Sequence, residues 1–94
     1  MADHKAQIEQ YIELNPQRPG LDRARLKDSG VSVWALISYL KYAARGDIAR
    51  VAADYDVPVE SVEAALAYYE QHSEAIDARI AANTPGVNAR RHAA

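Results

Sequence analysis

Two helical stripes separated by a three-residue break constrain this chain more than any other feature. Ile48, Val51, Ala52 and Tyr55 share one face of a helix that Asp47 is suited to cap. Gly46, just before it, can take the left-handed conformation that ends a preceding helix. The period breaks at Tyr55-Asp56-Val57, and Pro58 marks the start of a second helix in which Val62, Leu66 and Tyr69 recur, with Ala65 beside them. Two short helices crossing steeply over such a turn need a small residue at the crossing and an apolar residue in the turn. Ala52 and Val57 meet those needs. Asp56 stands where such turns often use Gly, and Asp tolerates positive φ better than most residues. The pattern predicts a helix-turn-helix, a unit that serves DNA readers and plain scaffolds alike.

Charge complicates the DNA reading. Residues 51–78 carry seven acidic side chains and no Lys or Arg. Residues 16–50 hold seven basic and three acidic side chains, and residues 79–94 hold three basic and none acidic. The net charge of −2 therefore hides a basic front and an acidic last helix. At 94 residues there is room for one domain with a small core. A hydrophobic share of 49% beside 26% charged residues is what an ordinary soluble protein is expected to have. Without Cys, disulfide and thiolate chemistry are excluded and a structural zinc site is disfavoured. No apolar run approaches a membrane span and the first residues lack a signal-peptide pattern, so a cytoplasmic location with no membrane partner is expected.

Ahead of the helices, Ile8, Gln10, Ile12 and Leu14 alternate with Glu9, Tyr11 and Glu13, which reads as a strand, although residues 3–11 could also begin as a helical turn. Asn15-Pro16-Gln17-Arg18-Pro19-Gly20 is loop. A second strand over residues 21–27 puts Arg23, Arg25 and Lys27 on one face and Ala24 and Leu26 on the other. Ser32 then caps a helix with the stripe Val33, Leu36, Ile37, Leu40 and Ala44. The last helix is expected to run unbroken from about Pro58 to Ala82, its apolar line continuing through Ile76 and Ile80 until Thr84-Pro85-Gly86 ends it. The expected fold is mainly α with a short N-terminal β segment, a homeodomain-like helix-turn-helix and a long C-terminal helix. Residues 1–83 form one domain and 84–94 a flexible tail. Two short strands make no stable sheet alone, so a two-fold homodimer is expected, with Ile8, Ile12, Leu14, Ile76 and Ile80 at its interface. The alternative is a monomer whose strands pair as a local hairpin.

Catalysis finds little support. His4, His72 and His92 are scattered, no paired-carboxylate or His-x-x-x-His spacing stands out, and the isolated glycines form no phosphate loop. Glu60, Glu63, Glu70, Glu74 and Asp77 read as a solvated face. The chain reads as a binding module, not an enzyme, with no metal or other cofactor.

The run Ala24-Arg25-Leu26-Lys27-Asp28-Ser29-Gly30-Val31-Ser32-Val33-Trp34-Ala35-Leu36 resembles a widespread bacterial family. So do Val51-Ala52-Ala53-Asp54-Tyr55-Asp56-Val57-Pro58 and Val62-Glu63-Ala64-Ala65-Leu66-Ala67-Tyr68-Tyr69. These are small helix-turn-helix proteins often called VapB-like antitoxins. The likeness covers residues 8–82 and is most diagnostic at Gly30-Val31-Ser32-Val33-Trp34 and Ala65-Leu66-Ala67-Tyr68-Tyr69. Many relatives carry a Gly-Thr-Arg-Ile-Pro stretch where this chain has Lys27-Asp28-Ser29-Gly30-Val31. The resemblance implies an antitoxin that neutralises a PIN-like ribonuclease toxin and represses its own operon.

Residue chemistry then suggests where each partner would bind. Protein–DNA affinity comes mostly from Lys and Arg on phosphates, and the second helix of the turn motif starts Pro58-Val59-Glu60-Ser61, where only Ser61 suits a groove. The expected operator-DNA contacts are therefore Ser61, the stripe Arg23, Arg25 and Lys27, and Lys41, Arg45 and Arg50 around the first two helices. The strand cations could equally serve to solvate an edge. Arg90 and Arg91 in the tail are suited to pair with the metal-binding carboxylates of a ribonuclease toxin. Two other classes stay open, a stand-alone DNA-binding regulator and a structural dimerisation module.

Overall fold

The computed structural model describes residues 4–17 and 20–83. The chain begins with helix α1 (His4–Tyr11), followed by strand β1 (Ile12–Glu13). A 3₁₀ turn over Leu21–Arg23 leads into strand β2 (Arg25–Leu26). Four helices complete it: α2 (Val33–Tyr42), α3 (Ile48–Tyr55), α4 (Val59–Gln71) and α5 (Ser73–Asn83). The expectation of a mainly helical chain with a short N-terminal β segment holds.

The N-terminal strand is shorter than its alternation suggested. Lys5, Ala6, Gln7, Glu9 and Gln10 are all good helix formers, and Ile8, Tyr11 and Ile12 sit at i, i+3 and i+4, a helical stripe that packs on the core. Gln10 broke the apparent period of two. Only Ile12 and Glu13 remain extended, antiparallel to β2, with Ile12 opposite Leu26 and Glu13 opposite Arg25. The second expected strand likewise shrinks, because Leu21–Arg23 coil into the 3₁₀ turn. The two strands thus pair as a local hairpin within one chain, the alternative left open above. Tyr11 O accepts from Lys27 N–H and Ala24 O from Val33 N–H, which stitches the hairpin to the start of α2.

α4 is the central element and packs against α1, α2, α3 and β1. Ala64 and Ala65 are fully buried, and their small side chains let neighbouring helices approach closely. The fully buried volume comes from Val33, Leu36, Ile37, Val51, Val62 and Ile76.

The connections between helices follow the expected chemistry. Gly46, at φ 87°, donates its N–H to Leu40 O at 2.7 Å, closing the end of α2. Asp47 caps α3 by accepting from Arg50 N–H at 3.1 Å. Asp56 is left-handed (φ 56°, ψ 50°), and its N–H reaches Ala52 O and Ala53 O. Val57, in the turn, packs against the core. Ser32 does occupy the cap position of α2, but its side chain makes no capping hydrogen bond.

The long C-terminal helix does not run straight. It breaks at His72 (φ −135°, ψ 38°), and α5 folds against α2 and the 3₁₀ turn. The reason is burial. Ile76 is 0% exposed and Ile80 5%, both in the core cluster of this one chain. They are therefore not an outer dimer face, and Ile12, 6% exposed against Leu26, is not one either. Ile8 is half-buried on the core, and of the five interface candidates only Leu14 is exposed, at 51%.

Candidate partner-binding surface

The residues expected to touch DNA fall on several elements of the fold. Ser61 is only 5% exposed. It lies in the first turn of α4 on the inward side, beside Tyr11, Leu26 and Val57, so it cannot enter a groove. The Arg23/Arg25/Lys27 stripe dissolves because only Arg25 of the three is in a strand. Arg25 Nε donates to Glu13 Oε2 at 2.7 Å across the ladder, and Lys27 Nζ donates to Glu9 O. Arg23 sits half-buried in the 3₁₀ turn.

Lys41 is also engaged within the chain. Its ammonium donates to Tyr69 Oη at 2.6 Å and lies 3.4 Å from Asp77 Oδ1, while Tyr69 Oη donates to the same carboxylate at 2.9 Å. The Tyr69 hydroxyl bond raises the Lys41 pKa above its ordinary value, against the desolvation that lowers it and with help from Asp77. Helices α2, α4 and α5 are fastened at this point. Arg50 pairs with Asp54 one turn along α3 at 3.5 Å. Arg45, exposed in the α2–α3 connection at φ 54°, has no ion-pair partner among the described residues. Arg90 and Arg91 lie outside the described residues.

What the fold does assemble is aromatic. Trp34, Tyr39 and Tyr42 on α2 and Tyr55 on α3 line an open cleft of about 330 Å³. Tyr39 and Tyr55 meet edge-on, ring centroids 5.3 Å apart and planes at 77°. Tyr39 Oη donates to Asp54 Oδ2 at 2.5 Å, and this bond to a carboxylate is the main reason the Tyr39 pKa is raised. Asp54 thus receives both Tyr39 and Arg50, which fixes one wall of the cleft. Tyr42, at the rim, is 69% exposed.

The sequence does hold a signal for this cleft. Ala35, Tyr39 and Tyr42 recur at i, i+4 and i+7, off the Val33/Leu36/Ile37/Leu40 stripe. Trp34, Tyr39 and Tyr55 also pack against the core, while Tyr42 stands clear of it.

The outward face of α4 carries Glu60, Glu63 and Glu70, all exposed. Glu63 and Glu70 border a groove floored by Ile48, Leu66 and Ala67. Among the described residues no group of three or more His, Asp or Glu is placed to hold a metal ion, and no helix is long and apolar enough to cross a membrane. Comparison of the chain with protein-family models, with characterised proteins and with solved structures finds no match.

Proposed function

We propose that this chain is an antitoxin-type binding protein of the cytoplasm, neutralising a PIN-like ribonuclease by covering it, with the aromatic cleft between α2 and α3 as its docking surface. The observation that carries this reading is the exposure of Tyr42 beside Trp34, Tyr39 and Tyr55. Tyr and Trp are enriched at the anchoring centres of protein interfaces, because a rigid ring buries much area while its polar tip finds a partner. The cations supply indirect support. Arg25, Lys41 and Arg50, three of the cations expected to meet phosphates, pair with carboxylates of the chain itself. No cofactor enters this role.

The test is binding and neutralisation of a PIN-like ribonuclease by wild type and Tyr42→Ala. Because Tyr42 is exposed, the variant should keep its thermal midpoint. It should lose about 30-fold or more in affinity, the scale of an interface anchor. A variant that binds as wild type removes the cleft from the reading. If deletion of residues 84–94 then abolishes neutralisation, the docking element is the tail with Arg90 and Arg91.

A second reading, a DNA-binding regulator on a homeodomain-like helix-turn-helix, is favoured by the α3–Asp56-Val57-Pro58–α4 connection with its left-handed Asp56. Its contacts would fall on Arg45 and the α2–α3 connection, not on the acidic start of α4. A promoter gel shift that weakens with Arg45→Ala supports it; no shift at low salt removes it.

A further inference from the structure

We infer that α5 is an exchangeable element, and that two copies of this chain form a dimer by each docking its α5 into the seat of the other, with His72 as the hinge. This goes beyond the ribonuclease reading and does not depend on it.

The hinge is one residue long and contains neither Pro nor Gly. Residue His72 N–H still reaches Tyr68 O and Tyr69 O, and Ile76 N–H reaches His72 O. The helical hydrogen-bond ladder is therefore interrupted only across the first turn of α5. Backbone N–H groups in the first turn of a helix have no intrahelical acceptor, and the break puts Ser73, Glu74 and Ala75 in that position. Straightening at His72 would offer them the carbonyls of Tyr69, Glu70 and Gln71. The sequence carries no residue that forbids this, which is why its periodicity reads as one helix from α4 into α5.

The seat of α5 lies mainly on elements before the hinge. It packs chiefly against α2 and the 3₁₀ turn, with fewer contacts to α4. Ile76 and Ile80 fill the core, Asp77 meets Lys41, and Arg79 Nη1 lies 3.7 Å from Asp22 Oδ2. Every one of these contacts can be made equally by the α5 of a second copy, so exchange keeps them and adds the hinge hydrogen bonds. Swapping of an identical element is a low-cost route to a two-fold dimer, and a short hinge invites it. A single-residue hinge can close only sharply; a continuous α4–α5 cannot fold back and must reach a neighbour. The homodimer expected from Ile76 and Ile80 is thereby recovered, with these side chains buried inside a partner's core instead of on an outer face.

The experiment compares wild type, the double variant His72→Ala/Ser73→Ala and a chain with Gly-Gly inserted after His72, by light scattering across concentration after refolding. Alanine favours the continuous helix, so the double variant should dimerise roughly tenfold more tightly than wild type. The insertion lengthens the hinge and should weaken the dimer by at least the same factor. Spin labels at Glu60→Cys and Ala81→Cys, both exposed positions in a chain without native Cys, then measure the helix itself. Labelled chain diluted into unlabelled dimer should give an intrachain separation of about 32 Å, that of 21 residues of unbroken helix, against a shorter one in the monomer. A dimer with the monomer's distance overturns the exchange, as does a double variant that stays monomeric at every concentration.

Discussion

At Asp56 a backbone conformation is held that disfavours an L side chain by roughly 1–2 kcal/mol, partly offset when a short polar side chain bonds locally. The turn between α3 and α4 needs it, because Asp56 N–H must reach back to Ala52 O and Ala53 O while Val57 drops toward the core. Asp56→Ala should therefore lower stability by about 1 kcal/mol and Asp56→Gly should not lower it, compared by urea denaturation at neutral pH. Equal losses in both would place the role of Asp56 in its carboxylate instead. Three other residues bear on stability at alkaline pH. Tyr39 is raised by its bond to Asp54, Lys41 by its bond to Tyr69, and Tyr68 by burial, its hydroxyl donating to Leu21 O at 2.6 Å. A raised folded pKa gives stability that is whole below the unfolded pKa and lost as pH climbs through the folded one. For Tyr and Lys the unfolded values are about 10 and 10.4. The urea midpoint should hold level from pH 8 to about 9.5 and fall above about pH 10. A Tyr39→Phe/Tyr68→Phe variant should fall less steeply over that range.

α5 is the element whose role the fold changed most. If Ile76 were an outer dimer contact, trimming it would dissociate a dimer and leave the monomer stable. Because Ile76 is fully buried in the core of one chain, Ile76→Ala should cost about 2–4 kcal/mol even in dilute monomer, read from the urea midpoint at micromolar concentration; a cost below about 1 kcal/mol would deny the core assignment. The helix stripes of α2 and α3, the Asp47 cap, the Gly46 stop and the Asp56 turn were all legible in the sequence, because each depends on neighbours within one helical turn. The break at His72 was not, since nothing local demands it and only the distant α2 surface rewards the fold-back. The N-terminal strand failed for the opposite reason: a short apolar alternation outweighed the helix propensity of Lys5, Ala6, Gln7, Glu9 and Gln10. The basic stripe failed with it. Its register assumed a long strand, and pairing across the real ladder gave Arg25 to Glu13. The cleft was half visible, its α2 aromatics set at helical spacing but its Tyr55 wall dependent on how α3 packs.

Across the whole molecule, the two proposed functions call for different responses to salt. Acidic α4 points Glu60, Glu63 and Glu70 outward. Arg25, Lys41, Arg50 and Arg79 lie in ion pairs of the chain itself, half of the Lys and Arg among the described residues. A protein that neutralises Z phosphates on duplex DNA shows a slope of about −0.9Z in log K against log salt. With Arg45, in the α2–α3 connection, as an exposed cation outside the ion pairs, this chain should give a slope no steeper than about −3 with its own promoter between 50 and 200 mM salt. Arg45→Ala should flatten that slope by about 1. Fluorescence anisotropy of labelled promoter DNA reads both. A slope of about −5 or steeper would mean that the internal ion pairs open to meet phosphates, and would favour the regulator over the ribonuclease-binding protein. A shallow slope, together with tight and salt-tolerant binding to a ribonuclease through Tyr42, is what an interface built on aromatic burial requires, since apolar contact is not screened by ions.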